Sequence, residues 1–355
     1  MPAQDRVITR FWHRLRWRTL DVSAVLIAVA ALGLIGWRNH APAGQSRLLN
    51  VSYDPTRELY QDLNARFAEE WQARTGQAVQ IEQSHSGSSA QARHVIAGEL
   101  QPDVVTLGLP SDVEALRLHG LLSEGWADRL PHRSVPYGST IVFVVRAGNP
   151  LHLLDWPDLI RPGVEVITPD PRTSGNGKLS ALAAWGAVVT RGGSEAQARA
   201  YLQALYDHAP FLVPAARAAA TAFAVEKLGD VHLAWENEAL REVDESHGAL
   251  QIVYPPVSLL AEPAVAWVDP LVKAHGSEDL ARAYLEFLFS EQAQEIIARD
   301  GYRPSNPAVL ARHAGRLPPL KLFAISAIAP DWEQAQTRFF GENGILDTVY
   351  QPKPR

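Results

Sequence analysis

The amino-acid sequence predicts an α/β fold with mostly parallel sheets, and three observations carry that prediction. Short apolar segments that read as strands alternate with segments of helical periodicity along most of the 355 residues. Two small polar turns, Gln83-Ser84-His85-Ser86-Gly87-Ser88-Ser89-Ala90-Gln91 and Thr173-Ser174-Gly175-Asn176-Gly177, each stand between a strand and a helix. A chain of this length can bury two cores, yet no repeat, low-complexity tract or linker divides it. Two α/β units joined by buried strands would leave a cleft and a hinge between them.

The elements follow in order. Residues 47–55 read as a strand, and Asp54-Pro55 reads as a helix start, with aspartate as N-cap and proline in the first turn. Tyr60, Leu63, Phe67 and Trp71 recur at helical spacing until Gly76 stops the helix. Val79-Gln80-Ile81 is the next strand, and the Ser/Gly turn then opens a helix that runs through Ile96 towards Gly98. A strand at 103–107 precedes a helix from Ser111 to Leu118. Further strands are expected at 139–145, 164–168, 211–213, 231–235, 251–254 and 264–268, with helices between. One long amphipathic helix at 280–298 carries Tyr284, Phe287 and Leu288.

Composition narrows the function. No cysteine is present, which rules out disulfides, thiolate metal ligands, cysteine nucleophiles and a lipidated N-terminal cysteine. The twelve histidines form no HxxxH or HxH pair with carboxylate support, and no GxSxG elbow occurs. A metal site and Ser-His-Asp hydrolysis therefore have no local backing, and no cofactor is expected. At the N-terminus Arg6, Arg10, Arg14, Arg16 and Arg18 precede an apolar run from Val22 to Trp37, and Ala41-Pro42-Ala43 follows, which is the layout of an export signal. That run has 16 residues against the ~20 usually needed to span a bilayer, and flanking side chains can stretch it. A retained membrane anchor is the alternative. Residues 1–43 hold six Arg and two acids, so the net charge goes from −6 to −10 without them. Such an acidic body does not suit nucleic acid. If it holds an anion, it must do so by local dipoles rather than a basic field.

The two polar turns supply those dipoles. A helix opening without bulky side chains exposes free N–H groups at the positive end of its dipole. Ser88 can add a hydroxyl, although by itself it reads first as a plain helix cap. Ser174-Gly175-Asn176-Gly177-Lys178 superficially suggests a nucleotide loop, but Arg172 stands where a Walker loop needs glycine and Leu179 where it needs Ser or Thr. An anion-cradling helix start fits it better. Ala215-Ala216-Arg217 precedes another helix, and Arg217 suits either an anion or a carboxylate partner. Trp235 closes an apolar strand, where it serves as core or offers an indole N–H at the strand's C-terminal end. Glu236 and Glu238 at the next helix start are ordinary dipole partners.

Several segments, in order and spacing, resemble the periplasmic sulfate- and thiosulfate-binding proteins of ABC uptake systems. They are the stretch 48–60, Gln83-Ser84-His85, Ser139-Thr140-Ile141-Val142-Phe143, Pro157-Asp158-Leu159-Ile160, Leu182-Ala183-Ala184-Trp185-Gly186, Ala234-Trp235-Glu236-Asn237-Glu238-Ala239, Tyr302-Arg303-Pro304 and Leu320-Lys321-Leu322-Phe323. The resemblance implies a type II periplasmic binding protein fold, two mixed sheets flanked by helices with a hinge and a central ligand cleft. Residues 1–43 would be the export signal or anchor, 44–142 plus 256–355 lobe I, and 143–255 lobe II. It further implies a dianion held by uncharged donors. These are the Ser88 hydroxyl and N–H, the Ser174 hydroxyl, the N–H groups of Gly175, Asn176 and Ala216, and the Trp235 indole, with Asp54 and Arg217 supporting. The expected protein is a monomeric periplasmic carrier and not an enzyme. It would deliver sulfate or thiosulfate to an ABC permease and ATPase. Departures from the family pattern fall at Ser86, Ser89, Asn176, Ala215 and Ala218-Ala219-Ala220, and they bear on the exact anion. An anion-site hydrolase of sulfate or phosphate esters and a membrane-tethered anion sensor are the competing readings.

Overall fold

The computed structural model describes residues 45–350, so the expected export segment at 1–43 lies outside the described residues. The described residues start on β1 (Gln45–Tyr53), α1 (Arg57–Thr75), β2 (Ala78–Ser86), α2 (Ser88–Ile96), β3 (Val104–Leu107) and α3 (Pro110–Leu118). It continues through β4 (Ile141–Arg146), β5 (Val166–Pro169), α4 (Gly175–Val189), α5 (Glu195–Asp207) and β6 (Leu212–Val213). Then come α6 (Ala216–Ala220), β7 (Val231–Trp235), α7 (Glu236–Glu245) and β8 (Leu250–Val253). After a return crossing follow β9 (Ala264–Trp267), α8 (Glu278–Phe287), α9 (Glu291–Arg299) and a tail of short helical turns. Among the described residues no helix is long and apolar enough to cross a membrane.

These strands make two mixed sheets. The first has the order β9-β3-β1-β2, with β1 parallel to both β2 and β3 and β9 antiparallel to β3. The second has the order β6-β5-β7-β4-β8, with β5 parallel to β6 and β7 and with β4 antiparallel to β7 and β8. Both sheets lie between helices, so strands such as β3 and β7 are buried at every position, the polar Thr106 and His232 included. The chain crosses from the first sheet to the second after β3 and returns after β8, and the tail then goes back to pack Phe339 and Tyr350 on Trp185 and Tyr206 of the second side. The first two crossings are stitched together. Ser139 and Ala261 exchange backbone hydrogen bonds, Thr140 Oγ1 donates to the Leu259 carbonyl, and Ser258 Oγ donates to the Ile141 carbonyl.

Each sheet has its own aromatic packing. Phe67 of α1 meets Tyr284 and Phe287 of α8 at centroid distances of 5.1 and 5.6 Å. Phe143 of β4 meets Trp156 edge-on at 5.0 Å. Helix α4 is buried nearly all round, from Gly175 to Ala187, which is why it lacks a polar stripe. A Cβ on its Gly186 would lie 2.0 Å from the Phe323 ring, so glycine is required there for the helix to sit that deep.

The structure corrects three local expectations. The long helix at 280–298 is two helices, because Ser290 interrupts it and caps α9 by accepting the Ala293 N–H at 3.2 Å. Asp54 does not cap a helix. Tyr53 stands at that position before a short 3-10 turn, and the Asp54 carboxylate takes Arg57 instead, at 2.8 Å from Nη2. Strand β2 extends well past Ile81 to Ser86, since every residue from Gln45 to Tyr53 pairs with it in register.

Candidate functional site

In a parallel sheet all strands end on one edge, and the helices that follow begin there. The predicted site residues occupy those strand ends. β2 ends at Ser86, Gly87 is the N-cap of α2, and Ser88 is its first residue. The first backbone donor of α2 to find an intrahelical acceptor is Gln91, which bonds to Gly87, so the N–H groups of Ser88, Ser89 and Ala90 have none. In the second sheet β5 ends at Pro169, and Ser174 is the N-cap of α4 without making a side-chain cap bond. Lys178 is the first to bond back, to the Ser174 carbonyl, which leaves the N–H groups of Gly175, Asn176 and Gly177 without helical acceptors. Asn176 Nδ2 is also buried without a partner among the described residues, while its Oδ1 accepts from Ser180 Oγ at 3.1 Å. β6 leads through Pro214 to Ala216, and Thr173 Oγ1 donates to the Pro214 carbonyl at 2.8 Å, tying the two loops together. Ala216 opens α6 with no side-chain cap. Trp235 ends β7 opposite Ile141 and is 1% exposed.

These two sets of loops meet face to face. A Cβ on Gly87 would lie 2.4 Å from the Thr173 carbonyl oxygen, and one on Gly175 would lie 3.4 Å from Ser88 Cβ. The Tyr53 ring, at the end of β1, sits 5.5 Å from the Trp235 ring. A Cβ on Gly108, just after β3, would lie 3.2 Å from Tyr53 and 3.5 Å from Ser88 Cβ. The structure therefore brings Ser88, Ser174, Gly175 and Trp235 to one place between the sheets, with Asn176 adjoining in sequence and Ala216 joined through the Thr173–Pro214 bond.

One expected donor is occupied differently. The Ser88 hydroxyl does not stand free: Ser88 Oγ accepts the Gly108 N–H at 3.0 Å and donates to Asp112 Oδ2 at 2.5 Å. Ser89 Oγ donates to Asp112 Oδ1 at 2.8 Å, and Lys178 Nζ approaches the same oxygen at 3.4 Å while donating to Gln336 Oε1 at 2.8 Å. A carboxylate is a strong acceptor for a hydroxyl, so Asp112 accepts hydrogen bonds from both serines. Asp112 and Lys178 are both buried, and their pairing satisfies two charges that neither could carry alone in the interior.

The remaining charges nearby are also paired. Arg217 donates from Nη1 and Nη2 to Glu58 at 3.1 and 2.5 Å, and its Nε lies 3.3 Å from Glu238 Oε2. Arg241 Nη1 lies 2.5 Å from Glu58 Oε2. Burial pushes the Glu58 carboxyl up, but the two guanidiniums outweigh it and hold it at about 2. Glu238, more deeply buried, is pushed up to about 7 in spite of Arg217 and Arg241. Burial, with Arg57 close by, holds His85 down at about 4, so its ring is neutral at neutral pH. Glu236 is more than a dipole partner, since Arg303 grips both its oxygens at 2.6 and 2.7 Å in the interior. Sequence reasoning missed Asp112, Glu58 and Arg241. Asp112 and Glu58 look like ordinary acids in a first helical turn, and only their distant partners reveal them.

With two sheets meeting at their strand ends over helix N-termini, the chain has the fold of periplasmic solute-binding proteins. It belongs to the family of bacterial extracellular solute-binding proteins, whose model matches residues 49–303. Within that family it falls with the sulfate- and thiosulfate-binding proteins. It is 43% identical over 337 residues to the thiosulfate-binding protein of Pseudomonas aeruginosa, spanning 94% of this chain and 99% of that one. It is 45% identical over 305 residues to the sulfate-binding protein of Escherichia coli strain K12, spanning 85% and 92%. The solved sulfate-binding protein SubI from Mycobacterium tuberculosis H37Rv superposes with a TM-score of 0.75 at 30% identity, covering 83% of this chain and 99% of SubI.

Proposed function

We propose that this chain is the extracytoplasmic receptor of an ABC uptake system, that it captures sulfate or thiosulfate between its two sheets, and that it delivers the anion to the permease. The lobes would be 44–142 with 256–355, and 143–255, hinged at the paired crossings around Ser139 and Ala261. The observation that carries the reading is the meeting of the α2 and α4 N-termini, with their unbonded N–H groups, beside the indole of Trp235. A dianion set there would draw on the N–H groups of Ser88, Gly175, Asn176 and Ala216, on Ser174 Oγ and on Trp235 Nε1. Asn176 Nδ2 is a further uncommitted donor in the same turn. Asp54, through Arg57, and Arg217, through Glu58, would support the loops from behind.

The pocket's preference follows from protons. Phosphate near neutral pH keeps an O–H for part of its population, and that hydrogen needs an acceptor. The carboxylate beside Ser88 is already engaged by two serine hydroxyls and a lysine, which makes it a poor acceptor for that hydrogen. An unmatched O–H costs ~1–3 kcal/mol. Sulfate and thiosulfate are pure acceptors and escape that cost. The site shows no activated nucleophile, and we read the protein as a binder without turnover, monomeric and periplasmic, with tethering dependent on whether the N-terminal segment is retained.

Calorimetric titration of anion-stripped protein with sulfate, thiosulfate, phosphate and molybdate tests the proposal. One-to-one binding of sulfate or thiosulfate with phosphate silent is the expected result. Binding of none, or of phosphate alone, overturns it, and hydrolysis of a chromogenic sulfate ester would favour the enzyme reading.

A further inference from the structure

Of the first three residues of α4, Gly175, Asn176 and Gly177, only Asn176 carries a side chain. That side chain is 2% exposed, and its amide is half used. Oδ1 accepts from Ser180 Oγ at 3.1 Å, one turn further along the helix, whereas Nδ2 is buried without a partner among the described residues. An amide points its oxygen and its nitrogen in different directions from one carbon, so with Oδ1 turned down the helix Nδ2 turns back towards the helix start. There it joins the N–H groups of Gly175, Asn176 and Gly177, which have no helical acceptors. A buried donor left unpaired is costly, and the cost is recovered when an acceptor enters. We propose that the Asn176 side-chain amide is a direct ligand of the captured anion, that it replaces the Ser88 hydroxyl in the donor set, and that it makes residue 176 the point where phosphate is refused. This rests on the anion-binding reading above and adds to it a side chain that decides specificity.

The facing helix starts contribute unequally. Ser88 lies across from α4, since a Cβ on Gly175 would stand 3.4 Å from Ser88 Cβ. Its hydroxyl, however, is held between the Gly108 N–H and the Asp112 carboxylate, so its hydrogen is withdrawn from the anion. Asn176 returns a donor to the set from the opposite helix, and Nδ2 brings two N–H bonds without a charge. Lys178, the cation on the same turn, does not compete for the anion, because Asp112 and Gln336 already hold it. The single acceptor of the Asn176 side chain is taken by Ser180, so an anion that presents an O–H to this residue meets only donors. Sulfate and thiosulfate present none. A carboxylate at position 176 would reverse this with almost no change of shape. An oxygen would stand where the N–H₂ was, so a phosphate O–H would find an acceptor and a pure acceptor would meet a negative charge.

The test is calorimetric titration of anion-stripped protein with sulfate, thiosulfate and phosphate near neutral pH. Wild type, Asn176→Ala, Asn176→Asp and Ser174→Ala are compared. Asn176→Ala should weaken sulfate and thiosulfate roughly 5- to 20-fold and leave phosphate silent. Asn176→Asp should weaken both roughly 100-fold or more and admit phosphate, which becomes the preferred anion. An asparagine with a purely structural role would lose affinity on replacement but could not yield a new ligand. Urea unfolding without anion checks that Asn176→Asp is folded, as an acid in the first turn of a helix suits its dipole; if it is not, Asn176→Ala alone decides. Sulfate affinity within twofold of wild type in Asn176→Ala, or a folded Asn176→Asp that gains no phosphate binding, overturns the proposal. Ser174→Ala separates the two readings. If it loses sulfate while Asn176→Ala does not, the anion site stands and only the role of the amide falls. If wild type binds none of the three anions, the receptor reading fails and the amide's role fails with it.

Discussion

Gly87→Ala separates closure from folding. Gly87 has φ −57° and ψ 134°, a conformation any residue adopts, so alanine adds no backbone strain. The new methyl would stand 2.4 Å from the Thr173 carbonyl oxygen. Ordinary carbon–oxygen contact is ~3.2 Å, so the two loops must part by ~0.8 Å. Thr173 belongs to the opposite sheet, so the clash exists only when the cleft is shut. Overpacking of this kind costs ~1–3 kcal/mol, which here falls wholly on the closed state and weakens anion binding roughly 5- to 150-fold. Stability of the anion-free protein should change by less than ~1 kcal/mol, since the loss of an N-cap glycine and the gain in chain stiffness offset one another. Calorimetry gives the first quantity and urea unfolding without anion the second. Gly177→Ala is the contrast: its methyl would meet the Pro169 carbonyl at 2.5 Å on its own side, so it should lower stability directly. Unchanged affinity in Gly87→Ala, or a stability loss equal to that of Gly177→Ala, would refute the reasoning.

Other expectations follow from the same geometry. Trp235→Phe keeps most of the packing against Tyr53 but removes the indole donor, and should weaken sulfate binding by ~1.5–3 kcal/mol in calorimetry; an unchanged Kd removes Trp235 from the site. Ser174→Ala should cost a similar amount in affinity with little effect on the unfolding midpoint, because its hydroxyl makes no cap bond. Ser88→Ala should also lower stability, since it strips a partner from Asp112 and from the Gly108 N–H; a purely functional loss would contradict the hydrogen bonding described. Neither His85, which stays neutral, nor Glu58, which stays ionised, should make sulfate affinity vary between about pH 5 and 8, so any change measured there belongs to Glu238 beside Arg217. Glu238 behaves in the opposite sense to Glu58. Its carboxyl is raised from 4.5 to about 7, so the folded state holds that proton more tightly. Its contribution to stability is complete below pH 4.5 and is lost as pH rises through 7, by up to about 3 kcal/mol. Glu238→Gln should flatten that part of the stability profile, and an unaltered profile would show that Glu238 is ionised throughout.

The sequence by itself determined the parts of this protein whose cause is local. Strand runs such as 231–235 and helix stops such as Gly76 are written in adjacent residues, because burial and backbone conformation act over a few positions. The same holds for the two donor-rich turns at Gly87-Ser88 and Ser174-Gly175, since a helix start exposes its N–H groups whatever lies across from it. Only the tertiary structure decided which groups those turns would meet. Ser88 Oγ donates its hydrogen bond to a carboxylate 24 residues away, and Arg217 finds its partner 159 residues away. Neither pairing leaves a trace in local spacing, because electrostatic partners are chosen by distance in space and by the loss of water around them. Even Ser290 obeys this division: a serine can sit inside a helix or cap one, and the packing of α8 and α9 selected the cap.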